Sequence, residues 1–441
     1  MSRFWEKIKK RPVLSLFLLA LGIRLFALAV NPESWQTAPD KDSWIYNNLA
    51  VQIVSGNGLT LEGRPTAKVP PLYPLFLAGV YHVFSFSRFA ALVLQVIFGS
   101  LLVFFIYRLG EEVFSRRVAS IAAAAAVVYW PFIAVGMKLL SEVLFIPLMV
   151  AGGYYTIVAY KYRRPGLAAV AVVITGLAIL TRPIILYFSA IVILWFIWDY
   201  FRNRNKRALF SAGLYLCVLL LIHLPWVVRN YSLFGHFIPT NTLGGQALYS
   251  GNLPKQDKLF GFNPRLDELD PSERYIFDLP EVEQDKALTR MAIDGLKKQP
   301  PAKVAKLFLL KFLFFWIPFD WEVLGNPKGI FNTWFFWVGI FFLYWLRHLR
   351  WREDYFFPCA IIVYFMLICL VTYGSPRLRL PVEPFLLLFA AAGWQTLESR
   401  SAGRLKNLIG IFILLSLIGG YHFGEEIKEA GRVIAVWLGI W

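Results

Sequence analysis

Residues 166–200 read GLAAVAVVITGLAILTRPIILYFSAIVILWFIWDY, which is two apolar runs separated by the short turn Thr181-Arg182-Pro183. A helix needs about 20 apolar residues to cross the hydrocarbon core of a bilayer, and runs close to that length recur along most of the chain. Outer-membrane barrels show short alternating segments instead of such solid apolar blocks. The sequence therefore predicts an all-α polytopic membrane protein.

The composition agrees with this class. Of the 441 residues, 58% are hydrophobic and only 17% are charged, whereas an ordinary soluble domain has about a quarter of its residues charged. The three cysteines, Cys217, Cys359 and Cys369, lie in apolar runs, so the sequence predicts neither a disulfide framework nor a cysteine metal site. The first run, which ends at Val30, could be a signal peptide, but we interpret it as an uncleaved span because many further spans follow.

Basic clusters near span ends favour the cytoplasm and so orient the chain, with its N-terminus inside. The clusters lie at residues 3–11, 116–117, 161–164, 202–207, 347–352 and 400–406. If successive apolar runs cross the membrane alternately outward and inward from these clusters, the sequence predicts about eleven transmembrane helices. They lie at residues 12–30, 89–109, 118–136, 143–161, 166–180, 184–200, 208–226, 331–346, 356–372, 383–397 and 405–421.

Two apolar segments do not fit as crossings, because counting them would place a basic cluster on the wrong side. We predict that these segments, Pro70 to Phe86 and about Lys303 to Phe319, are interfacial helices. The C-terminal Arg432 to Trp441 is either another interfacial helix or a short final span. A single membrane domain, 1–441, would then carry a first extracytoplasmic loop, 31–88, and a large one, 227–330, whose acidic stretch from Asp267 to Asp294 suggests a small solvated subdomain.

Basic residues that break the positive-inside pattern must be held on the outer face for a reason. They are Arg64, Lys68, Arg182, Arg229, Arg377 and Arg379. Together they could bind an anionic headgroup such as a lipid phosphate, although each could also be an interfacial anchor. Arg182 is the strongest single case, because its turn is short. If residues 374–381 are extended, Arg377 and Arg379 point the same way.

The carboxylates predicted on the same face are few. Asp40 and Asp42 directly precede an amphipathic stretch, Ser43 to Val54. Either could cap that helix, or act as the general base for an acceptor hydroxyl, a role that contributes about 10²- to 10⁴-fold to a rate. Glu142 is a second catalytic candidate, with stabilisation of a helix start as the alternative.

The sequence predicts no required cofactor. The five histidines show no paired spacing, which argues against zinc. A divalent cation, Mg²⁺ or Mn²⁺, held by Asp40, Asp42 and Glu142 is compatible with the oxygen ligands present. A phosphate-cradling glycine loop is missing from the sequence, so it offers no visible site for a nucleotide-sugar donor. We predict no nucleic-acid partner.

Four motifs, taken in order, resemble a known group. They are Asp42-Ser43-Trp44-Ile45-Tyr46, Lys68-Val69-Pro70-Pro71-Leu72-Tyr73-Pro74, Gly176 to Pro183, and Arg377-Leu378-Arg379-Leu380-Pro381. With Leu140-Ser141-Glu142 and Gly244 to Asn252, they resemble membrane glycosyltransferases of the GT-C class, in particular the bacterial relatives of protein O-mannosyltransferases and of the lipid A aminoarabinose transferase. Ser43 departs from the Asp-Glu pair common in that group, and Val69 separates Lys68 from the first proline.

The resemblance implies a GT-C fold and a sugar donor carried on a polyprenyl phosphate, of the undecaprenyl type in bacteria. It implies that Asp42 is the catalytic aspartate and that Lys68 contacts the lipid phosphate. Tyr46, Tyr73 and Asn252 are assigned to the acceptor site or its loops. The acceptor could be a lipid, a protein or a glycan.

These observations predict an inverting glycosyltransferase with an aspartate base, in the bacterial plasma (inner) membrane, with its active site facing the periplasm or exterior. A lipid-linked sugar transporter or flippase is a rival, but it predicts ionisable residues deep within the spans. In this sequence such residues gather at span ends. A glycan polymerase or ligase that uses polyprenyl-diphosphate-linked chains is a second rival that shares the topology.

Overall fold

The computed structural model of the chain describes residues 12–36, 41–252, 271–320 and 330–400, and most of these residues are helical. Up to residue 252 the helices are α1 (Pro12–Ala29), α2 (Glu33–Gln36), α3 (Lys41–Val54), α4 (Leu72–Val83), α5 (Arg88–Val113), α6 (Arg116–Val128), α7 (Trp130–Gly136), α8 (Glu142–Lys161), α9 (Pro165–Thr181), α10 (Phe188–Asn203), α11 (Lys206–Phe234) and α12 (Gly244–Asn252). The later helices are α13 (Glu281–Lys298), α14 (Pro301–Trp316), α15 (Thr333–Arg347), α16 (Phe356–Val371), α17 (Pro376–Arg379) and α18 (Glu383–Arg400).

Short strands and 3₁₀ turns complete the described chain. Strands β1 (Thr60–Leu61) and β2 (Arg64–Pro65) form an antiparallel hairpin, as do β3 (Phe319–Asp320) and β4 (Ile330–Phe331). Glu62 and Gly63 join β1 to β2 with φ values of 53° and 76°, as expected for a two-residue hairpin turn with positive φ at both positions. The 3₁₀ turns are Pro183–Ile185, Pro271–Asp278, Glu353–Tyr355 and Leu380–Val382.

The predicted polytopic helical fold is confirmed. Within the described residues, seven helical segments are long and apolar enough to cross a membrane, or eight if α6 and α7 form one bent span. Every predicted crossing except 405–421 coincides with a helix; that crossing and the C-terminal segment 432–441 lie outside the described residues. Helices α4 and α14 occupy the two segments predicted to be interfacial, and their place at the membrane surface stays a prediction.

The large extracytoplasmic loop region, 227–330, stays a prediction, and its first residues are helical. Helix α11 continues past Trp226 to Phe234, even though Pro225 lies inside it; proline is tolerated in membrane helices because neighbouring groups satisfy the freed backbone. The helix ends at Gly235, whose φ of 66° is left-handed. In the described parts of this segment, 227–252, 271–320 and 330–331, three more helices and two strands follow.

The described residues form two compact units. The first contains the residues up to Asn241 together with Arg350–Cys359, and the second contains Thr242–Leu349 and the residues from Ala360 onward. The prediction of one membrane domain stays a prediction.

Close helix packing holds the first unit together. A Cβ added at Gly152 of α8 would lie 2.6 Å from the Thr175 hydroxyl oxygen of α9, so only a small residue permits this approach. Beside this pair, buried side chains of α3, α4 and α5, such as Ala50, Leu77 and Leu92, form a common core with Leu139. That core fixes α3 and the start of α4, which carry several predicted site residues.

The second unit has a comparable close contact and a small helical cluster. A Cβ added at Gly393 of α18 would lie 2.1 Å from the Phe341 carbonyl oxygen of α15. Tyr249, Ile276 and Leu288 are among the buried residues that join α12 and α13 into a hydrophobic cluster. Part of the predicted acidic subdomain is therefore a packed helical element; its first residues, 267–270, lie outside the described ranges.

A buried arginine stabilises a broken span of the first unit. Helices α6 and α7 meet at a 49° bend. Pro131, in the first turn of α7, has no N–H for the Val127 carbonyl. Arg24 of α1, which is 2% exposed, donates instead, from Nη1 to the Val127 carbonyl at 3.2 Å and from Nη2 to the Ala126 carbonyl at 3.2 Å. The expectation that ionisable residues gather at span ends is therefore wrong for Arg24.

We expect Arg24→Met to destabilise the protein, because the Ala126 and Val127 carbonyls would lose the donors that Arg24 supplies. A buried polar group left unsatisfied costs about 1–3 kcal/mol. Thermal unfolding in detergent measures the change, with the exposed neighbour Leu25→Met as the matched control. Equal unfolding temperatures for the two variants would show that another contact stabilises the bend.

Candidate active site

The predicted base lies at the start of α3 (Lys41–Val54). Asp42 is in the first turn of this helix and is partly buried. Tyr46 follows four residues later, and side chains at this spacing are neighbours on one helix face. Tyr46 therefore lies about one helical turn from Asp42. The other candidate, Asp40, lies outside the described residues.

A continuous polar network connects this helix to two others. The Tyr46 hydroxyl lies 3.0 Å from the Ser141 hydroxyl oxygen. The Ser141 hydroxyl donates to Glu142 Oε2 at 3.4 Å, and Arg182 Nη1 donates to Ser141 Oγ at 3.4 Å. Arg182 Nη1 also forms an ion pair with Glu142 Oε1 at 2.6 Å. The structure thus brings Tyr46, Glu142 and Arg182 together.

The ion pair bears on the interpretation of Glu142 as a catalytic candidate. Its side chain is 1% exposed, whereas that of Arg182 is 19% exposed. A buried carboxylate needs a paired cation, because desolvation of an unpaired charge is very costly. Glu142 meets that need with Arg182 and Ser141, so it positions the arginine; its catalytic role stays a prediction.

The sequence around Arg182 explains its position. Helix α9 ends at Thr181, and Arg182 is extended, with φ −145° and ψ 115°. The following Pro183 disfavours helical geometry at the residue before it. The tight turn predicted from Thr181-Arg182-Pro183 is therefore present, and the guanidinium emerges from the helix end beside Ser141 and Glu142.

Tyr73 is a second link between these elements. Its ring packs edge-on against that of Tyr46, with centroids 4.8 Å apart. Its hydroxyl donates to Gln95 Oε1, and Gln95 Nε2 donates to the Lys138 carbonyl at 2.9 Å. Burial raises the pKa of Tyr73 well above its usual value, so its hydroxyl stays a donor at neutral pH. Tyr46 and Tyr73 thus organise the site, and their assignment to an acceptor site stays a prediction.

The segment that carries Lys68 is held through its backbone. The Lys68 amide donates to the Thr66 hydroxyl at 3.1 Å, and the Asn241 side chain donates to the Lys68 carbonyl at 3.3 Å. Lys68 itself is partly buried, and Tyr73 follows five residues later in the same segment. The predicted phosphate lysine therefore stands on an ordered backbone next to the tyrosine contacts.

Arg229 positions this segment. Its Nη1 donates to the Thr66 carbonyl at 2.9 Å and its Nη2 to the Leu59 carbonyl at 3.2 Å, while its guanidinium lies 4.9 Å from the Trp226 ring centroid. Arg229 therefore supports the Lys68 segment, and its predicted role in phosphate binding stays a prediction. Arg64 is exposed on β2, and no described contact brings it to Glu142 or Arg182.

Three predicted residues belong to the second unit, and two of them are fully buried. Residues 376–379 form a helical turn, so the condition under which Arg377 and Arg379 would point the same way is not met. Arg377 is partly buried. Arg379 is fully buried, and its Nε pairs with Glu383 at 2.8 Å. Asn252 is also fully buried and accepts from Lys311 Nζ at 2.7 Å. Both side chains are thus bonded to other protein groups, and their predicted roles at the site stay predictions.

The described residues contain no group of three or more histidine, cysteine, aspartate or glutamate side chains that could hold a metal ion. Of the three proposed cation ligands, Glu142 is paired with Arg182, and Asp40 is outside the described ranges.

Sequence reasoning missed three contributors: Gln95, Ser141 and Arg24. A lone amide in the apolar run 89–109 and a lone arginine in the run 12–30 were the available signals, because polar groups inside spans are costly unless they serve a purpose. Ser141 carried no separate signal beyond its place before Glu142.

Comparisons with known proteins agree with this description. Residues 68–226, less than half of the chain, match the family model described as dolichyl-phosphate-mannose-protein mannosyltransferase. This range contains Lys68, Tyr73, Glu142 and Arg182. No curated protein sequence matches the chain.

Solved structures have a similar fold. The Archaeoglobus fulgidus oligosaccharyltransferase in its apo form is 16% identical with a TM-score of 0.57, covering 94% of this chain and 55% of that one. The archaeal oligosaccharyltransferase AglB from Archaeoglobus fulgidus, in complex with an inhibitory peptide and a dolichol-phosphate, is 15% identical with a TM-score of 0.52, covering 96% of this chain and 56% of that one. ArnT from Cupriavidus metallidurans bound to undecaprenyl phosphate is 13% identical with a TM-score of 0.41, covering 85% and 76%.

The chain thus spans about half the length of the archaeal structures that it matches. The predicted resemblance to membrane glycosyltransferases of the GT-C class is confirmed, and the chain has the fold of that class.

We expect Glu142→Gln to destabilise the protein strongly, because it leaves Arg182 without its buried counter-charge. Breaking one side of such a pair costs about 3–5 kcal/mol. Thermal unfolding measures the loss, and Arg182→Met in the same background should restore part of it. Glu111→Gln, which breaks a more exposed pair with Arg108, is the control and should cost about 1 kcal/mol or less. A small effect of Glu142→Gln would contradict the positioning role.

Proposed function

We propose that this protein transfers a sugar from a polyprenyl-phosphate donor to an acceptor at the extracytoplasmic membrane face. The observation that carries this proposal is the network from Tyr46 through Ser141 to Glu142 and Arg182. It puts a helix with a candidate base, Asp42, beside a fixed arginine. The mannosyltransferase family model covers the arginine and its partners, and the Lys68 segment packs into the same unit through Tyr73.

Asp42 is the proposed general base. Its carboxylate would take the proton of the acceptor hydroxyl while that oxygen forms a bond to the anomeric carbon of the donor sugar. The bond from this carbon to the phosphate oxygen breaks, and its electron pair leaves with the polyprenyl phosphate. Attack opposite the departing phosphate inverts the anomeric configuration. Asp40 remains the alternative base.

Lys68 and Arg182 are the proposed phosphate ligands of the first unit. The described side-chain hydrogen bonds of Arg182 all go through Nη1, and a guanidinium has five N–H donors in a fork that suits phosphate oxygens. Fixed cations aimed at a departing anion stabilise the transition state without reorganisation. The family model extends from Lys68 past Arg182, which supports assigning both to one reaction.

The donor is proposed to be a polyprenyl monophosphate sugar, hexosyl or pentosyl, on an undecaprenyl carrier. The archaeal oligosaccharyltransferase with this fold was solved with a dolichol-phosphate, which supports a lipid-phosphate ligand. The acceptor is a lipid, protein or glycan hydroxyl or another nucleophile. We place the protein in a bacterial inner membrane with its N-terminus in the cytoplasm, on the basis of the basic clusters.

The transporter rival is weakened by the contacts of Arg24. This arginine is an ionisable residue deep within a span, which a transport pathway would use. Its Nη atoms are bonded to the carbonyls of Ala20, Ala126 and Val127. We therefore assign it to structure and not to a substrate path. The donor experiment below distinguishes the proposed enzyme from a polymerase or ligase that uses diphosphate-linked chains.

We expect the purified protein to release polyprenyl phosphate from one member of a panel of undecaprenyl-phosphate sugars, measured by mass spectrometry. Asp42→Asn should lower the turnover by about 10²- to 10⁴-fold with little change in donor affinity, because the carboxylate acts on the acceptor. The matched variant Asn47→Asp, on the same helix, tests whether a change of one charge on α3 is sufficient to lower the turnover.

Full transfer by both Asp42→Asn and Asp40→Asn would reject the proposed base. Release only from diphosphate-linked chains would favour the polymerase or ligase instead.

A further inference from the structure

A buried lysine of the second unit has no role in the mechanism above. Lys311 lies on α14 (Pro301–Trp316) and is 3% exposed. Its Nζ donates to Asn252 Oδ1 at 2.7 Å, to the Leu370 carbonyl at 2.9 Å and to the Thr372 carbonyl at 2.9 Å. Three neutral oxygens thus match the three donors of its ammonium group.

Two of these oxygens belong to a helix end. Helix α16 ends at Val371, and the last carbonyls of a helix have no partner within it. A cation at this end is also favoured by the helix dipole. The Asn252 side chain completes the cap by donating to the Val371 carbonyl at 2.9 Å. Lys311 and Asn252 therefore cap α16.

Arg379 caps the other helix in the same way. Helix α14 ends at Trp316, and Arg379 Nη1 donates to the Phe315 carbonyl at 2.9 Å and to the Ile317 carbonyl at 2.7 Å. Thus α14 supplies the cation that caps α16, and the turn after α16 supplies the cation that caps α14. The two caps are reciprocal.

The backbone between the two cations packs closely against α14 at Gly374. A Cβ added at Gly374 would lie 3.2 Å from Lys311 Cα and 3.2 Å from Phe314 Cβ. Ser375 then begins the α17 turn by accepting from the Arg377 amide at 3.1 Å. The backbone from Thr372 to Arg379 is thereby fixed at both ends, with Arg377 between the two caps.

We propose that this reciprocal cap positions Arg377 for the donor phosphate, and that Lys311 is a positioning residue for the transfer reaction. This inference rests on the proposed function, because it gives the predicted phosphate contact of Arg377 a structural basis. Lys311 does not need to touch the substrate.

The cap is expected to depend on pH. Burial lowers the pKa of Lys311 to about 8, while Cys369 of α16 opposes the shift. Among the described charged side chains, Arg379 with its partner Glu383 forms the other half of the reciprocal cap, and Arg377 lies in the turn beside it. Above that pKa the neutral amine keeps two N–H donors for three oxygens, so one oxygen loses its donor and the turn loosens. The lipid phosphate itself keeps its charge in this range.

We expect Lys311→Met to weaken binding of undecaprenyl phosphate about tenfold at pH 7, as the loss of charge-assisted hydrogen bonds predicts. The wild-type affinity should fall between pH 7 and pH 9.5, whereas Lys311→Arg, which keeps its charge, should lose less over the same range. Lys306→Met, at an exposed position of the same helix, should behave like the wild type throughout.

Hydrogen exchange of residues 372–379 provides a readout that needs no ligand. At one fixed pH these amides should exchange faster in Lys311→Met than in Lys306→Met. Equal exchange and equal affinity in these two variants would overturn the inference; if Lys311→Met does not fold, equal pH dependence of Lys311→Arg and wild type would overturn it. Faster exchange with no binding of undecaprenyl phosphate even by the wild type would keep the cap and reject the proposed function.

Discussion

The ion pair between Arg182 and Glu142 is the interaction on which the first unit's candidate site depends. It joins the end of α9 to the start of α8, and Ser141 extends it to Tyr46 on α3. Because Glu142 is buried, its carboxylate is shielded from water, and the geometry of the pair is enforced by the cost of separating the charges. Asp42, the proposed base, lies one turn before Tyr46 on the same helix.

A second constraint recurs through the fold: backbone carbonyls at helix ends and breaks need donors where water is scarce. Arg24 supplies them at the α6–α7 bend, Arg229 at the hairpin before Lys68, and Lys311 and Arg379 at the ends of α16 and α14. The basic residues of this chain therefore have two kinds of role. Those bonded to carbonyls build the scaffold on which the others are presented.

This division explains what the sequence could predict. Apolar runs and basic clusters located the long apolar helices of the described residues, because hydropathy and charge act locally. The turn at Arg182 was also predictable, since Pro183 forces it. The burial of Arg379 beside the partly buried Arg377, and the pairing of Glu142, were not, because they depend on Phe315 and Arg182, which lie far from these residues in the chain.

The central claim is that Arg182, held by Glu142, presents a guanidinium to a lipid phosphate. The most direct measurement is the affinity of purified protein for undecaprenyl phosphate in wild type, Arg182→Gln and Arg164→Gln, the last at the exposed opposite end of α9. The account predicts about tenfold or greater weakening for Arg182→Gln, the value of a charge-assisted hydrogen bond, and wild-type affinity for Arg164→Gln. Unchanged affinity in Arg182→Gln would contradict it.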